Sequence, residues 1–292
     1  MIDLVKLSGR TKTTLVQKVL DIDKAKPEKL KWPMLFSEKI DGVYCLALRD
    51  DDFINIYSRT GEVYTSMRHI ESQLSYVMSE GDIVIFEAYE PNTAQSVISG
   101  HCRDTKAQHP ELTAYCHQYI SEFEFINGGI MTAQESYDYL CDMMSYTDIS
   151  VIPQKLVYSL EEAMELTKII WANGGEGSVL CNPNGVFMGG KKNAEKVRIK
   201  QGESHDLLVT GIFEGTGKYT GMLGGILCRF RDGIELRVGT GFSDSERWTY
   251  FNLPKQITGH IVQIDAMRGS SKGKLREPRF KGIKWDKEAA DF

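Results

Sequence analysis

The chain has 292 residues, 41% hydrophobic and 26% charged, an ordinary globular composition that argues against a disordered or fibrous protein and is long enough for two domains. Its formal net charge of -5 argues, taken alone, against a nucleic-acid partner, but the charge is unevenly placed. Residues 191–200 carry Lys191, Lys192, Lys196, Arg198 and Lys200 against Glu195, and residues 268–287 carry eight cations against Glu277 and Asp286. Cations clustered on an acidic body suit a surface that follows phosphates, with a solvated basic tail as the plain alternative for the second cluster.

No apolar stretch is long enough to cross a bilayer, and Met1 to Leu20 reads as neither signal peptide nor anchor, so a cytoplasmic protein with no membrane partner is expected. The six cysteines are scattered, with no Cys-x-x-Cys pair, and are expected to be reduced and mostly buried. Cys116-His117, with His101 and Cys102 upstream, fits no common zinc spacing.

In chain order, Asp3 to Leu20 is predicted as an opening helix with Leu15, Val16, Val19 and Leu20 on one side, followed by a linker through Pro27. Strands are predicted at Gly42 to Leu48, Phe53 to Ser58 and Asp82 to Tyr89. Helical periodicity covers Met67 to Met78, Ala133 to Tyr146 and Leu160 to Ala172, the last opened by Ser159 and Glu162 in a capping-box pattern. After Gln201-Gly202 the pattern becomes short strands at His205 to Phe213, Gly225 to Phe230, Ile234 to Val238 and His260 to Met267, with glycine-rich turns between them. This predicts an α+β chain with a boundary near Gln201 to Ser204, ending in a small β-barrel.

Lys39-Ile40-Asp41-Gly42 places an amine beside a carboxylate and a glycine, the composition of a nucleophile site. A lysine attacks phosphorus only as the free amine, which needs desolvation or a neighbouring cation. The four residues alone are weak evidence, and further sites in order give them meaning: Ser58-Arg59-Thr60-Gly61, Glu87 after Ile83-Val84-Ile85-Phe86, Tyr115, Glu176-Gly177 after two glycines, Arg198-Ile199-Lys200 and Lys284-Trp285-Asp286-Lys287. Gly215-Thr216-Gly217-Lys218 is no phosphate loop, because Ile212 and Tyr219 stand where that motif needs Gly and Ser or Thr.

In this order and spacing the chain resembles the ATP-dependent DNA ligases, members of the nucleotidyltransferase superfamily that also holds RNA ligases and capping enzymes. The resemblance covers nearly the whole chain and is closest to the compact bacteriophage and viral enzymes. Glu214 to Tyr219, Leu236 to Phe242 and Arg276 to Phe280 look like their oligonucleotide-binding (OB) domain.

The resemblance implies an adenylation domain of antiparallel sheets with helices over residues 1–201 and an all-β OB-fold barrel over 202–292. It implies that Lys39, in the motif with Asp41, takes AMP from ATP, that Glu87 bonds a ribose hydroxyl, and that Tyr115 stacks on adenine, with Tyr119 or Phe123 as alternatives. Glu176 would hold Mg2+, with Mn2+ as a substitute, and Arg198 and Lys200, alternating on a strand, would reach the α-phosphate. Lys284, Asp286 and Lys287 would orient pyrophosphate. Arg59 with Ser58 would bind the 5′-phosphate of a nick in duplex DNA, and Lys191, Lys192 and Lys218 would contact nucleic acid.

ATP is expected rather than NAD because the nicotinamide-recognition domain and zinc cysteines of the NAD branch are missing. The thirty-odd residues before Lys39 cannot hold a DNA-encircling domain, so a monomer of two domains is expected to grip the duplex. Two positions depart from the family pattern: Tyr44 stands where an arginine is usual, and Arg198 where a lysine is usual. An RNA ligase or capping guanylyltransferase would share Lys39, Glu87, Glu176 and Lys200, and a non-catalytic binding protein with a dead nucleotidyl domain is the rival from another class.

Overall fold

The computed structural model describes residues 2–267 and 275–292, which divide into two units, Met1–Lys200 and Gln201–Phe292. The first unit is built on two sheets. The larger has strands in the order Val63–Tyr64, Phe53–Ser58, Val43–Asp50, Asp82–Tyr89, Thr113–Ser121 and Ser150–Val151, antiparallel except for the last pair. Alternation along its central strands feeds two cores. Val43, Cys45 and Ala47 join Val84 and Phe86 beneath the helices Arg68–Ser75, Gln95–Arg103 and Ala133–Met144. Leu46 and Leu48 join Ile83 and Ile85 on the other face, against Leu4, Leu15 and Phe125. With both faces covered, these strands read as nearly continuous apolar runs, and each buried Leu or Ile contributes roughly 1.5–3 kcal/mol.

The smaller sheet runs Lys18–Asp21, Lys192–Lys200, Gly177–Cys181, Met34–Glu38, Gln154–Val157, with only the first pair parallel. Met34, Phe36, Leu180, Val197 and Ile199 bury one face against the helix Leu160–Ala172. Ser159 caps that helix by accepting from Glu162 N at 3.2 Å, but the Glu162 carboxylate reaches Tyr158 N rather than Ser159 N, so only half of the expected capping box forms.

The predicted opening helix is corrected. Only Leu4–Ser8 is helical, started by Asp3 and stopped by Gly9 at φ 64°, and Lys18–Asp21 is instead a strand on the edge of the smaller sheet. Its partner lies more than 170 residues away, so nothing in the local pattern shows the pairing.

In the second unit, five strands run in the order Glu235–Val238, Leu223–Arg229, Gly202–Glu214, Ile261–Met267, Arg276–Ile283, all antiparallel. A bridge between Thr240 and Arg279 joins the two edges, giving an OB-like barrel filled by Leu207, Val209, Ile226, Val262 and Ile264. The helix Asp244–Asn252, missed in the sequence, carries Ser243 and Glu246 in a complete capping box. Its buried Arg247 donates to the carbonyls of Leu223, Gly224 and Gly239.

Candidate active site

Lys39 follows the Met34–Glu38 strand, and its backbone N–H donates to Gly177 O at 2.9 Å, which fixes the Lys39 segment against the neighbouring strand. Two glycines allow the approach. A Cβ on Gly42 would stand 2.6 Å from Ala88 O and 3.0 Å from Glu87 Cβ, and one on Gly177 (φ 153°) would stand 2.0 Å from Ile199 O. Any side chain at either position would push the Lys39 segment away from Glu87, or Glu176 away from Lys200.

At the centre, Glu176 takes both lysines: Lys39 Nζ lies 2.5 Å from Oε2 and Lys200 Nζ lies 2.9 Å from Oε1. All three side chains are largely buried. Burial pushes the Glu176 pKa up, but the charges and hydrogen bonds of Lys39 and Lys200 outweigh it and hold the carboxyl below its usual range. Gly177 pairs with Lys200 across the strands, which brings Glu176, one residue before Gly177, beside Lys200.

Facing this ion cluster is a row on the larger sheet. Tyr44 pairs with Glu87 and Glu87 with Tyr115, so the three side chains share one face on adjacent strands. Burial raises the Glu87 pKa to about 7, the positive charge of Lys39 opposing the shift and Glu176 adding to it. A carboxyl poised there can donate as well as accept a hydrogen bond. His117 lies on the same face, its ring 6.1 Å from that of Tyr44, held neutral by burial and by the charges of Lys196 and Lys39. Tyr119, one alternative for base stacking, is buried with its hydroxyl on Asp82 at 2.8 Å, and Phe123 lies exposed on the helix Glu122–Asn127.

The remaining sequence-derived residues separate. Arg198 shares a strand face with Lys200, but its Nε lies 2.6 Å from Asp21 Oδ1, so the two cations do not converge on Glu176. Asp41 acts on Glu87 electrostatically. Ser58 is buried, and its hydroxyl accepts from Thr60 N and Glu62 N, which makes it the brace of a turn that leaves Arg59 exposed. Lys191 and Lys192 are exposed. In the second unit, Lys218 lies 3.4 Å from Asp244, Lys287 pairs with Asp206, and Lys284 is half-buried beside exposed Asp286. Three cations of the carboxy-terminal cluster, Arg268, Lys272 and Lys274, lie outside the described residues.

The sequence places Lys196 only within the cation cluster of residues 191–200. It alternates with Arg198 and Lys200 on the same strand face, its Nζ is 3.3 Å from Gln118 Oε1, and its charge acts on Glu87 and His117. The period-two spacing of the three cations is the signal that would have found it.

The comparisons with known proteins match this architecture. Residues 214–284 match the family model described as a DNA ligase OB-like domain. A DNA ligase of Methanothrix thermoacetophila is 24% identical over 223 residues, 70% of this chain and 40% of that protein, so the chain spans less than half the length of this relative. Among solved structures, Pmar-Lig_PreS3 gives a TM-score of 0.79 at 23% identity, covering 92% of this chain and 67% of the other. A structure from the Lig E DNA ligases gives 0.73 at 17% identity over 92% and 98%. The ATP-dependent DNA ligase of bacteriophage T7, in complex with ATP, gives 0.56 at 17% identity over 93% and 99%. The first unit thus shares its fold with the corresponding part of these DNA ligase structures, and the second has an OB-like fold. The resemblance to the ATP-dependent DNA ligases holds at the level of that fold, with the OB-like family match and the curated relative agreeing.

Proposed function

We propose that the chain is an ATP-dependent DNA ligase that seals nicks between a 5′-phosphate and a 3′-hydroxyl in duplex DNA, acting as a monomer in the cytoplasm. The observation that carries this reading is the Lys39–Glu176–Lys200 cluster set against the row of Tyr44, Glu87 and Tyr115. It supplies a nucleophilic amine, cations for phosphate oxygens, an aromatic face and a carboxyl for a ribose hydroxyl in one place.

For the first step the Lys39 amine leaves Glu176, loses a proton and attacks the α-phosphate of ATP. The new bond is P–N, the bond broken is P–O, and pyrophosphate departs. In the second step an oxygen of the nick's 5′-phosphate attacks the same phosphorus, the P–N bond breaks, and Lys39 takes back a proton. In the third, the 3′-hydroxyl attacks the activated 5′-phosphate, a phosphodiester forms and AMP leaves. Lys200 and Lys196 offset the negative charge on the phosphoryl oxygens, and Glu87 and Tyr115 orient the nucleoside. Arg59 holds the 5′-phosphate through its planar fork, and Arg198, anchored by Asp21, lies on the Lys200 face of the same strand.

Once Lys39 leaves Oε2, Glu176 offers a single hard carboxylate oxygen of the type that binds Mg2+ together with substrate phosphates. Bound there, the metal would supply charge neutralisation for the leaving pyrophosphate.

A nick-sealing assay with and without ATP and Mg2+, on DNA and on RNA, tests the reading. Sealing of nicked DNA that requires ATP supports it. Labelling by GTP, or sealing of RNA alone, would assign the chain to the capping or RNA-joining branches instead.

A further inference from the structure

The amino-terminal segment forms a surface that the proposed chemistry does not use. Residues 9–20 carry Arg10, Lys12 and Lys18, and residues 183–194 carry Lys191 and Lys192, with no acid in either stretch of a chain whose net charge is -5. The parallel pairing of Lys18–Asp21 with Lys192–Lys200 brings the two stretches together and sets Lys18 beside Lys192. Lys18 N donates to Lys191 O at 2.9 Å, and Gly190 N donates to Val16 O at 2.9 Å. Two glycines allow this contact. A Cβ on Gly189 would stand 2.5 Å from Arg10 Cζ, and one on Gly190 (φ 73°) would stand 2.9 Å from Thr14 Cβ. Arg10 anchors its own side of the junction, its guanidinium 4.5 Å from the Phe125 ring centroid and donating to Phe125 O.

We infer that Lys12, Lys18, Lys191 and Lys192 form one continuous phosphate-binding surface whose partner is the backbone of the duplex flanking the nick. The inference rests on the ligase reading and extends it from the two loop lysines to the amino-terminal segment. All four lysines are exposed, and the acids nearest to them in sequence are committed elsewhere. Asp3 caps Leu4–Ser8, Asp21 takes Arg198 and Lys24, and Glu195 takes Lys31. Like charges side by side on neighbouring strands repel, as at Lys18 and Lys192, and a bound polyanion removes that cost. The backbone beneath the cations is already tied by hydrogen bonds, so less chain entropy is lost on binding than from a loose basic tail. The exposed hydroxyls of Thr11 and Thr13, 3.1 Å apart, add neutral groups that can donate to phosphate oxygens.

The surface is also within reach of the reacting centre. The strand Lys192–Lys200 runs from it to Lys200 on Glu176, a length of at most about 27 Å, which is less than one duplex turn of about 34 Å. The sequence concealed it because Lys12 and Lys18 lie more than 170 residues from the lysines they join.

The test compares the full wild-type chain with the double variant Lys12→Ala/Lys18→Ala by fluorescence anisotropy, using a nicked duplex that extends past one helical turn on each side, over a series of salt concentrations. Labelling by ATP is followed in parallel. The variant is expected to bind the duplex more weakly, with a salt slope shallower by roughly 1–2, and to take label at the wild-type rate. Lys12→Arg/Lys18→Arg should keep the wild-type slope. An unchanged slope in the alanine variant overturns the inference alone, as does a slope change confined to single-stranded DNA. A wild type that takes no label from ATP defeats the ligase reading instead, and the salt slope then still decides whether this surface holds duplex phosphates.

Discussion

Glu176 holds two ammonium groups with one carboxylate, so its charge and theirs depend on one another. Its depressed pKa means that it contributes stability above its ordinary range, and that this contribution is lost as pH falls through the folded value. Glu87 has the opposite sign: its folded pKa of about 7 lies above the ordinary 4.5, so the folded state binds the proton more tightly and stability is lost as pH rises from about 4.5 through 7. Glu87→Gln, a neutral isostere, should therefore become progressively more stable relative to wild type across that window. Thermal melting at several pH values checks this, and parallel curves would contradict it. Lys200→Ala removes a preorganised cation and is expected to slow enzyme adenylation about 10²–10³-fold in single-turnover labelling, while a loss under threefold would remove Lys200 from the phosphate site. At this scale the sequence was informative where a residue type alone carries chemistry, as at Lys39, Glu87 and Glu176. It did not show the places of Asp21 and His117, which follow from pairing across distant strands, whereas the period-two spacing of Lys196 with Arg198 and Lys200 was present and went unread.

Among the elements, those whose partners are near in sequence or whose faces are fully apolar were legible: Phe53–Ser58, Asp82–Tyr89 and Leu160–Ala172 stand as predicted. Lys18–Asp21 was not, because apolar residues spaced by chance on a helical face resemble a helix until the far strand that recruits them is known. Ser243-x-x-Glu246 was present as a start signal for Asp244–Asn252 and went unread amid the strand pattern. Ser243→Ala should cost about 1 kcal/mol, measured by denaturant unfolding. Gly177→Ala should be more severe, about 2–4 kcal/mol, since its Cβ would overlap Ile199 O and the strand carrying Arg198 and Lys200 would have to separate from Glu176. A change below 1 kcal/mol would show that the backbone relaxes freely there.

For the whole molecule, a net charge of -5 coexists with exposed Lys191, Lys192 and Arg59 on the first unit and exposed Lys218, Arg279 and Lys281 on the second. If these cations meet phosphates, the logarithm of affinity for nicked duplex falls linearly with the logarithm of salt, with a slope near -0.9 per phosphate contacted. Replacing Lys191 and Lys192 together by alanine should make that slope shallower by roughly 1–2, and an unchanged slope would place the DNA elsewhere. The two-domain pattern was visible in the sequence as a change from mixed periodicity to short strands, whereas the larger sheet's burial on both faces was not, since it depends on segments as distant as Leu4 and Phe187. The most direct measurement is mass spectrometry of the protein after incubation with ATP and Mg2+. An AMP adduct on the Lys39 side-chain nitrogen, absent from Lys39→Ala and removed by nicked DNA, is the expected result. An unmodified Lys39, or an adduct on another residue, would contradict the account.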